Sequence, residues 1–101
     1  MMRSESNLVD FLQTEAALEA VAAVEHDRWA HWQRYLHAQC IEGQDGSLLI
    51  PATLVDRWSR QLSTPYSELS DSEKDSDREQ AREYLAALIR VQQNKARHYP
   101  D

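Results

Sequence analysis

Two stretches of this chain gather the side chains able to do chemistry. The first is Glu25-His26-Asp27-Arg28-Trp29-Ala30-His31-Trp32-Gln33-Arg34-Tyr35. On a helix, Trp29 and Trp32 stand one turn apart, so their rings can share a surface. Glu25 lies three residues before Arg28 and four before Trp29, among apolar positions. A carboxylate placed there must find a partner or hold its proton. The set can be a pocket wall of two indoles with an acid and an imidazole beside them. It can equally be a tryptophan core pair, with Glu25 tied by Arg28 or by an arginine from another helix.

The second stretch is Pro65-Tyr66-Ser67-Glu68-Leu69-Ser70-Asp71-Ser72-Glu73-Lys74-Asp75-Ser76-Asp77-Arg78-Glu79. Tyr66, on a connector, can lay its ring on the first helix and turn its hydroxyl into a polar site. Asp77 and Arg78 fall within a helix, where Asp77 interrupts the apolar stripe and Lys74 and Arg78 run along its edge. A buried Asp77 needs a counter-charge from Arg34, Arg78 or His26. This set serves either a ligand or an ion-pair network that joins two helices.

Other chemistries are poorly served. His26, His31 and His37 are spaced so that they do not share a helix face, and no HExxH pattern or second cysteine supplies the missing ligands. No metal or cofactor is therefore expected. Cys40 falls near a helix C-terminus, whose dipole does not activate a thiol nucleophile. Neither a nucleophile elbow nor a phosphate-cradling glycine loop is present. The expectation is a protein without catalytic activity.

Helices must position both stretches. Glu15 to Cys40 is the strongest periodic segment, with Leu18, Val21, Ala22, Trp29, Trp32, Leu36 and Cys40 on one stripe. Asn7 to Gln13, with Ser6 as a cap, is a short helix or the opening turns of the next one. Ile41 to Ser47 holds both glycines and is a helix stop, loop and turn, and Leu48 to Ile50 runs extended into Pro51. Pro51 opens a third helix that carries Leu54, Val55, Trp58 and Leu62 on one face and ends near residues 61–64. Ser63 to Ser70 is a connector. Ser70 and Glu73 form a capping box for a last helix running to about Asn94. Its expected buried stripe is Ala81, Tyr84, Leu85, Leu88 and Val91. The two longest helices should pack through their stripes, with Trp29 facing Tyr84 or Leu85. The fold class is mainly α: a compact bundle of three to four helices with a short extended segment near 47–51.

At 101 residues, 42% hydrophobic and 28% charged, the chain fits a single soluble domain spanning 1–101, with a core at about 15–94 and flexible ends at 1–6 and 96–101. A net charge of −6 opposes both a nucleic-acid backbone and an anionic membrane. The polar start and the lack of a long apolar run argue against a leader or a membrane span, which makes the cytoplasm the expected location.

The two stretches, in this order, resemble the RyR domain, the repeat first recognised in ryanodine receptors and found also as small bacterial and phage proteins. The resemblance rests on Glu25-His26-x-x-Trp29-Ala30, then Pro65-Tyr66-x-x-Leu69-x-x-x-Glu73-Lys74-x-x-Asp77-Arg78. It is closest to the small stand-alone members, which Trp32-Gln33-Arg34-Tyr35 also resembles, and it covers roughly residues 20–89. The receptor repeats carry a Gly-Trp-x-x-Gly loop after the first helix. Here that place holds Cys40-Ile41-Glu42-Gly43-Gln44-Asp45-Gly46, so a role tied to that loop does not carry over.

The resemblance implies a mainly helical, non-catalytic module that binds a small nucleotide-derived signal of the cyclic-nucleotide or ADP-ribose type. A stand-alone chain would sense it or sequester it, as a phage anti-defence sponge does in its host's cytoplasm. Trp29, Trp32 and Tyr66 would stack on a base. His26, Arg34, Lys74 and Arg78 would meet phosphates or ribose hydroxyls, and Glu25 and Asp77 would orient those bases or accept from a base edge. The competing expectation is a helical interaction or assembly module whose polar seam is structural. Either way, the apolar, alanine-rich segment Leu8 to Val24 favours a homo-oligomer.

Overall fold

The computed structural model describes the backbone of residues 2–97 and the side chains of residues 7–94. The chain is mainly α. Its elements are α1 (Met2–Leu12), α2 (Glu15–Gln39), β1 (Ile41–Glu42), β2 (Leu48–Leu49), α3 (Ala52–Leu62), a 3-10 turn (Tyr66–Glu68) and α4 (Asp71–Arg97). They fall into two compact units, one of Met1–Arg28 with Glu79–Asp101 and one of Trp29–Arg78.

In the first unit α1 is a helix in its own right. It begins at Met2, so Ser6 lies inside it and is not its cap. Of the ends expected to be flexible, residues 2–6 and 96–97 are helical, and residues 1 and 98–101 lie outside the described residues. Thr14 separates α1 from α2. Its Oγ1 donates to the Phe11 carbonyl (2.7 Å) and accepts from the Ala17 amide (3.2 Å), which closes one helix and caps the next. Phe11, Ala17 and Ala87 are the buried apolar side chains here. Two of them are alanines, on α2 and α4, and the third is the one aromatic ring of α1.

The stripes expected to be buried are covered only in part. On α4 the buried position is Ala87, with Tyr84, Leu88 and Val91 half-buried on the same face, while Ala81 is exposed and Leu85 is 58% exposed. On α2, Leu18 and Ala22 are exposed and Trp29 is 52% exposed. Trp29 is therefore not a core ring.

The second unit is built around a turn and two helix starts. The expected loop after α2 is a small antiparallel hairpin, with Ile41 opposite Leu49 and Glu42 opposite Leu48. The extended segment was foreseen, but its partner strand was not. The Gly43 amide donates to the Ser47 carbonyl (2.7 Å), and Gly46 sits at a φ of 85°, where a side chain is strained. The Asp45 carboxylate accepts from the Ser47 amide (3.0 Å), and its bonds to Ser47 hold its pKa below the ordinary value. Helix α3 begins directly after Pro51, which supplies the extended backbone that precedes a first turn. Helix α4 begins with the foreseen capping box: the Glu73 amide donates to Ser70 Oγ (3.2 Å) and the Ser70 amide to Glu73 Oε1 (3.1 Å).

Candidate functional site

The second unit holds an open pocket of about 390 Å³. Trp32 comes from α2, Trp58 and Gln61 from α3, Leu69 from the connector, and Glu73 and Asp77 from the first turns of α4. Its size falls within the range of small-ligand sites.

The pocket's apolar wall is an indole pair. Trp32 and Trp58 meet edge to face, with ring centroids 5.3 Å apart and planes at 66°. Tyr35 also lies against Trp32, with centroids 5.6 Å apart. Edge-to-face packing suits the ring quadrupoles and fixes each ring against its neighbour. Helical spacing explains why Trp32 and Tyr35 meet. The pairing with Trp58 depends on the path of the chain through the hairpin and α3.

The polar side of the pocket comes from α4. Glu73 is fully engaged: Oε1 accepts from Ser70, and Oε2 accepts from the Gln61 side-chain amide (2.6 Å). Ser70 first and Gln61 after it hold the Glu73 carboxyl below its usual pKa. Asp77, one turn on, is exposed on the pocket wall, and among the described residues its carboxylate has no hydrogen bond or ion pair. The carboxylate taken by Arg78 is that of Asp75 (2.7 Å) and not that of Asp77. Asp77 is therefore not the buried half of an ion pair.

A second group forms around Tyr66. The Lys74 ammonium lies 5.7 Å from the centre of the Tyr66 ring, within cation–π range. Arg78 is raised above its already high pKa, chiefly by the Asp75 carboxylate and next by the Tyr66 phenol. Tyr66, Lys74 and Arg78 are thus brought together, although they come from a connector and two turns of α4.

The first unit receives Glu25. Arg28 grips it with two bonds, Nε to Oε1 (2.9 Å) and Nη2 to Oε2 (2.6 Å), and the Tyr84 hydroxyl donates to Oε1. Arg28 first and Tyr84 second pull the Glu25 pKa from 4.5 down to about 2. The first expected constellation is thereby partly a structural clasp, with Arg28 as the partner foreseen and Tyr84 as one that spacing did not suggest. His26 is exposed, and Arg34 is exposed on the second-unit part of α2.

No protein-family model, curated protein or solved structure matches the chain. Two indoles offer flat faces and edges. Asp77 offers an unengaged anionic acceptor, and Lys74 and Arg78 add positive charge on neighbouring positions of α4. Such an arrangement offers aromatic faces beside a hydrogen-bond acceptor. Among the described residues no three His, Cys, Asp or Glu side chains gather to hold a metal ion, and no helix is long and apolar enough to cross a membrane.

Trp58 and Gln61 are among the pocket residues that sequence reasoning missed, with Leu62, Leu69, Glu73 and Ser76. Trp58 was visible as one apolar position on a helix face, and nothing local distinguished it from core. An indole beside an amide one turn later, facing an acidic helix start, is the signal that could have found them.

Proposed function

We propose that this chain is a non-catalytic binder of a small nucleotide-derived molecule, of the cyclic-nucleotide or ADP-ribose type, acting to sense or sequester it as an RyR-like module. The observation that carries the reading is the pocket walled by Trp32 and Trp58 with the unengaged Asp77 carboxylate at its edge. A base would stack on an indole, an interaction worth about 1–3 kcal/mol per base. Asp77 would accept from an exocyclic amine or ring N–H. Phosphates would lie toward Lys74 and Arg78, beside Tyr66, where local charge acts at contact despite the net charge of −6. Sequestration by a phage-encoded copy in its host's cytoplasm is the biological setting that the RyR resemblance suggests.

A thermal-shift screen with cyclic AMP, cyclic di-AMP and ADP-ribose tests this directly. A ligand present at 100 Kd stabilises by about 2.7 kcal/mol, several degrees for a domain of this size. Trp32→Ala should abolish the shift. The second reading is a helical interaction module. It is favoured by the Glu25 clasp, where a carboxylate expected to face a ligand is already saturated by Arg28 and Tyr84. That reading predicts no shift with any of the three probes.

A further inference from the structure

The lining of the indole pocket is electrically one-sided. Two of its side chains are carboxylates, Glu73 and Asp77, and two are indoles, Trp32 and Trp58. None of the lysine, arginine or histidine side chains of Trp29–Arg78 lines it. The donors that hold Glu73 are neutral: the Ser70 amide and hydroxyl on Oε1 and the Gln61 side-chain amide on Oε2. They keep the carboxyl ionised, with its pKa below the ordinary value, and do not cancel its charge. Arg60 adds the least of these pulls and makes no ion pair with Glu73 among the described residues. The cations beside Asp77 on α4 are engaged elsewhere, Arg78 with the Asp75 carboxylate (2.7 Å) and Lys74 over the Tyr66 ring (5.7 Å). Asp77, one turn after Glu73 on the same helix face, therefore also keeps its charge uncancelled.

We infer that this pocket selects a ring that carries a positive charge, which rests on the nucleotide reading of the same pocket and makes the preferred ligand a nucleotide with an N-alkylated, cationic base. The face of an aromatic ring is the negative end of its quadrupole, and tryptophan is the best aromatic partner for a cation within about 6 Å of the ring centre. Both indoles can be reached, Trp32 at 38% exposure and Trp58 half-buried. A neutral base gains stacking there and one acceptor. A cationic ring gains the same stacking, the quadrupole of the indoles and the attraction of two carboxylates. Phosphates would meet the opposite of this in the pocket, and their place is outside it, on the Lys74 and Arg78 side.

The test is calorimetric titration of the full chain with nicotinamide mononucleotide and with its reduced form. The two ligands differ by one hydride, and the ring is a cation in the first and neutral in the second. The wild type should bind the cationic form at least about tenfold more tightly. Asp77→Asn keeps the shape and an acceptor but removes the charge. It should cut that ratio to about threefold or less, with the melting temperature of the free protein unchanged. Equal affinity for the two forms overturns the charge selection and leaves the nucleotide reading standing. A ratio that folded Asp77→Asn leaves intact overturns it as well. The third probe is 1-methylnicotinamide, the cationic ring without ribose or phosphate. If it binds and neither mononucleotide does, the charge selection is supported and the nucleotide reading is overturned. Binding of none of the three overturns the selection, and the nucleotide reading then stands or falls on cyclic AMP, cyclic di-AMP and ADP-ribose.

Discussion

Tyr84 donates its hydroxyl proton to the Glu25 carboxylate across 59 residues of sequence, and Arg28 holds the same carboxylate from one turn away on α2. This pair joins α2 to α4 within the first unit. It also explains why a carboxylate stands among apolar positions. The acid is not a flaw in the stripe but the acceptor at the point where a tyrosine from another helix arrives.

The clasp sets an acid limit. Glu25 is held at about 2 against an ordinary 4.5, first by Arg28 and then by Tyr84. A lowered folded-state pKa contributes stability that is fully present above pH 4.5 and is lost as pH falls toward 2. Thermal melts across that window should therefore fall more steeply for the wild type than for Glu25→Gln. Parallel slopes would remove Glu25 from the account of acid stability.

The same bond acts on the tyrosine from the alkaline side. Its hydrogen bond to Glu25, and then partial burial, raise the Tyr84 pKa above 10. In Glu25→Gln the hydroxyl has no carboxylate partner, so one tyrosine should titrate at lower pH. Tyrosinate absorbance followed through an alkaline titration reads this shift. A curve unchanged from wild type contradicts the bond.

The start of α4 depends on its capping box. Ser70→Ala removes the acceptor of the Glu73 amide and a donor to the Glu73 carboxylate. Loss of such a cap costs about 1 kcal/mol, or roughly 4–8 °C in a domain of this size. The melting temperature of purified Ser70→Ala checks this, and a change below 1 °C would count against it.

The hairpin depends on one backbone angle. Gly46 holds a φ of 85°, and a side chain there costs about 1–2 kcal/mol. Gly46→Ala should lower the urea midpoint. Equal stability of wild type and Gly46→Ala would show that the turn is not held as described.

Helix boundaries were legible because their signals are local. Ser70 with Glu73, Pro51 before α3 and the glycines after α2 each act within a few residues, and the elements start and stop beside them. The site was legible only in part. Trp32 and Asp77 line the pocket, whereas Glu25, His26, Trp29, Arg34, Tyr66, Lys74 and Arg78 are not among its lining residues. Trp58 could not be assigned to the pocket, because its place depends on how the hairpin redirects the chain. Burial was the least legible property. Periodicity marks Leu18 and Leu85 as core, yet both are exposed while Ala17 and Ala87 are buried. An apolar stripe shows that a helix has a face to bury but not which surface will cover it.

The central claim is that the indole pocket of the second unit takes a nucleotide through Trp32 and Asp77. Its most direct test is calorimetric titration of wild type and Asp77→Ala with whichever of cyclic AMP, cyclic di-AMP and ADP-ribose gives the largest thermal shift. Asp77 has no hydrogen bond or ion pair among the described residues, so its removal should leave the melting temperature of the free protein nearly unchanged. A lost hydrogen bond to a charged acceptor is worth about 1.5–3 kcal/mol. Binding by Asp77→Ala should therefore be at least tenfold weaker. Equal affinity of the two proteins, or no measurable heat from the wild type with any of the three probes, would contradict it.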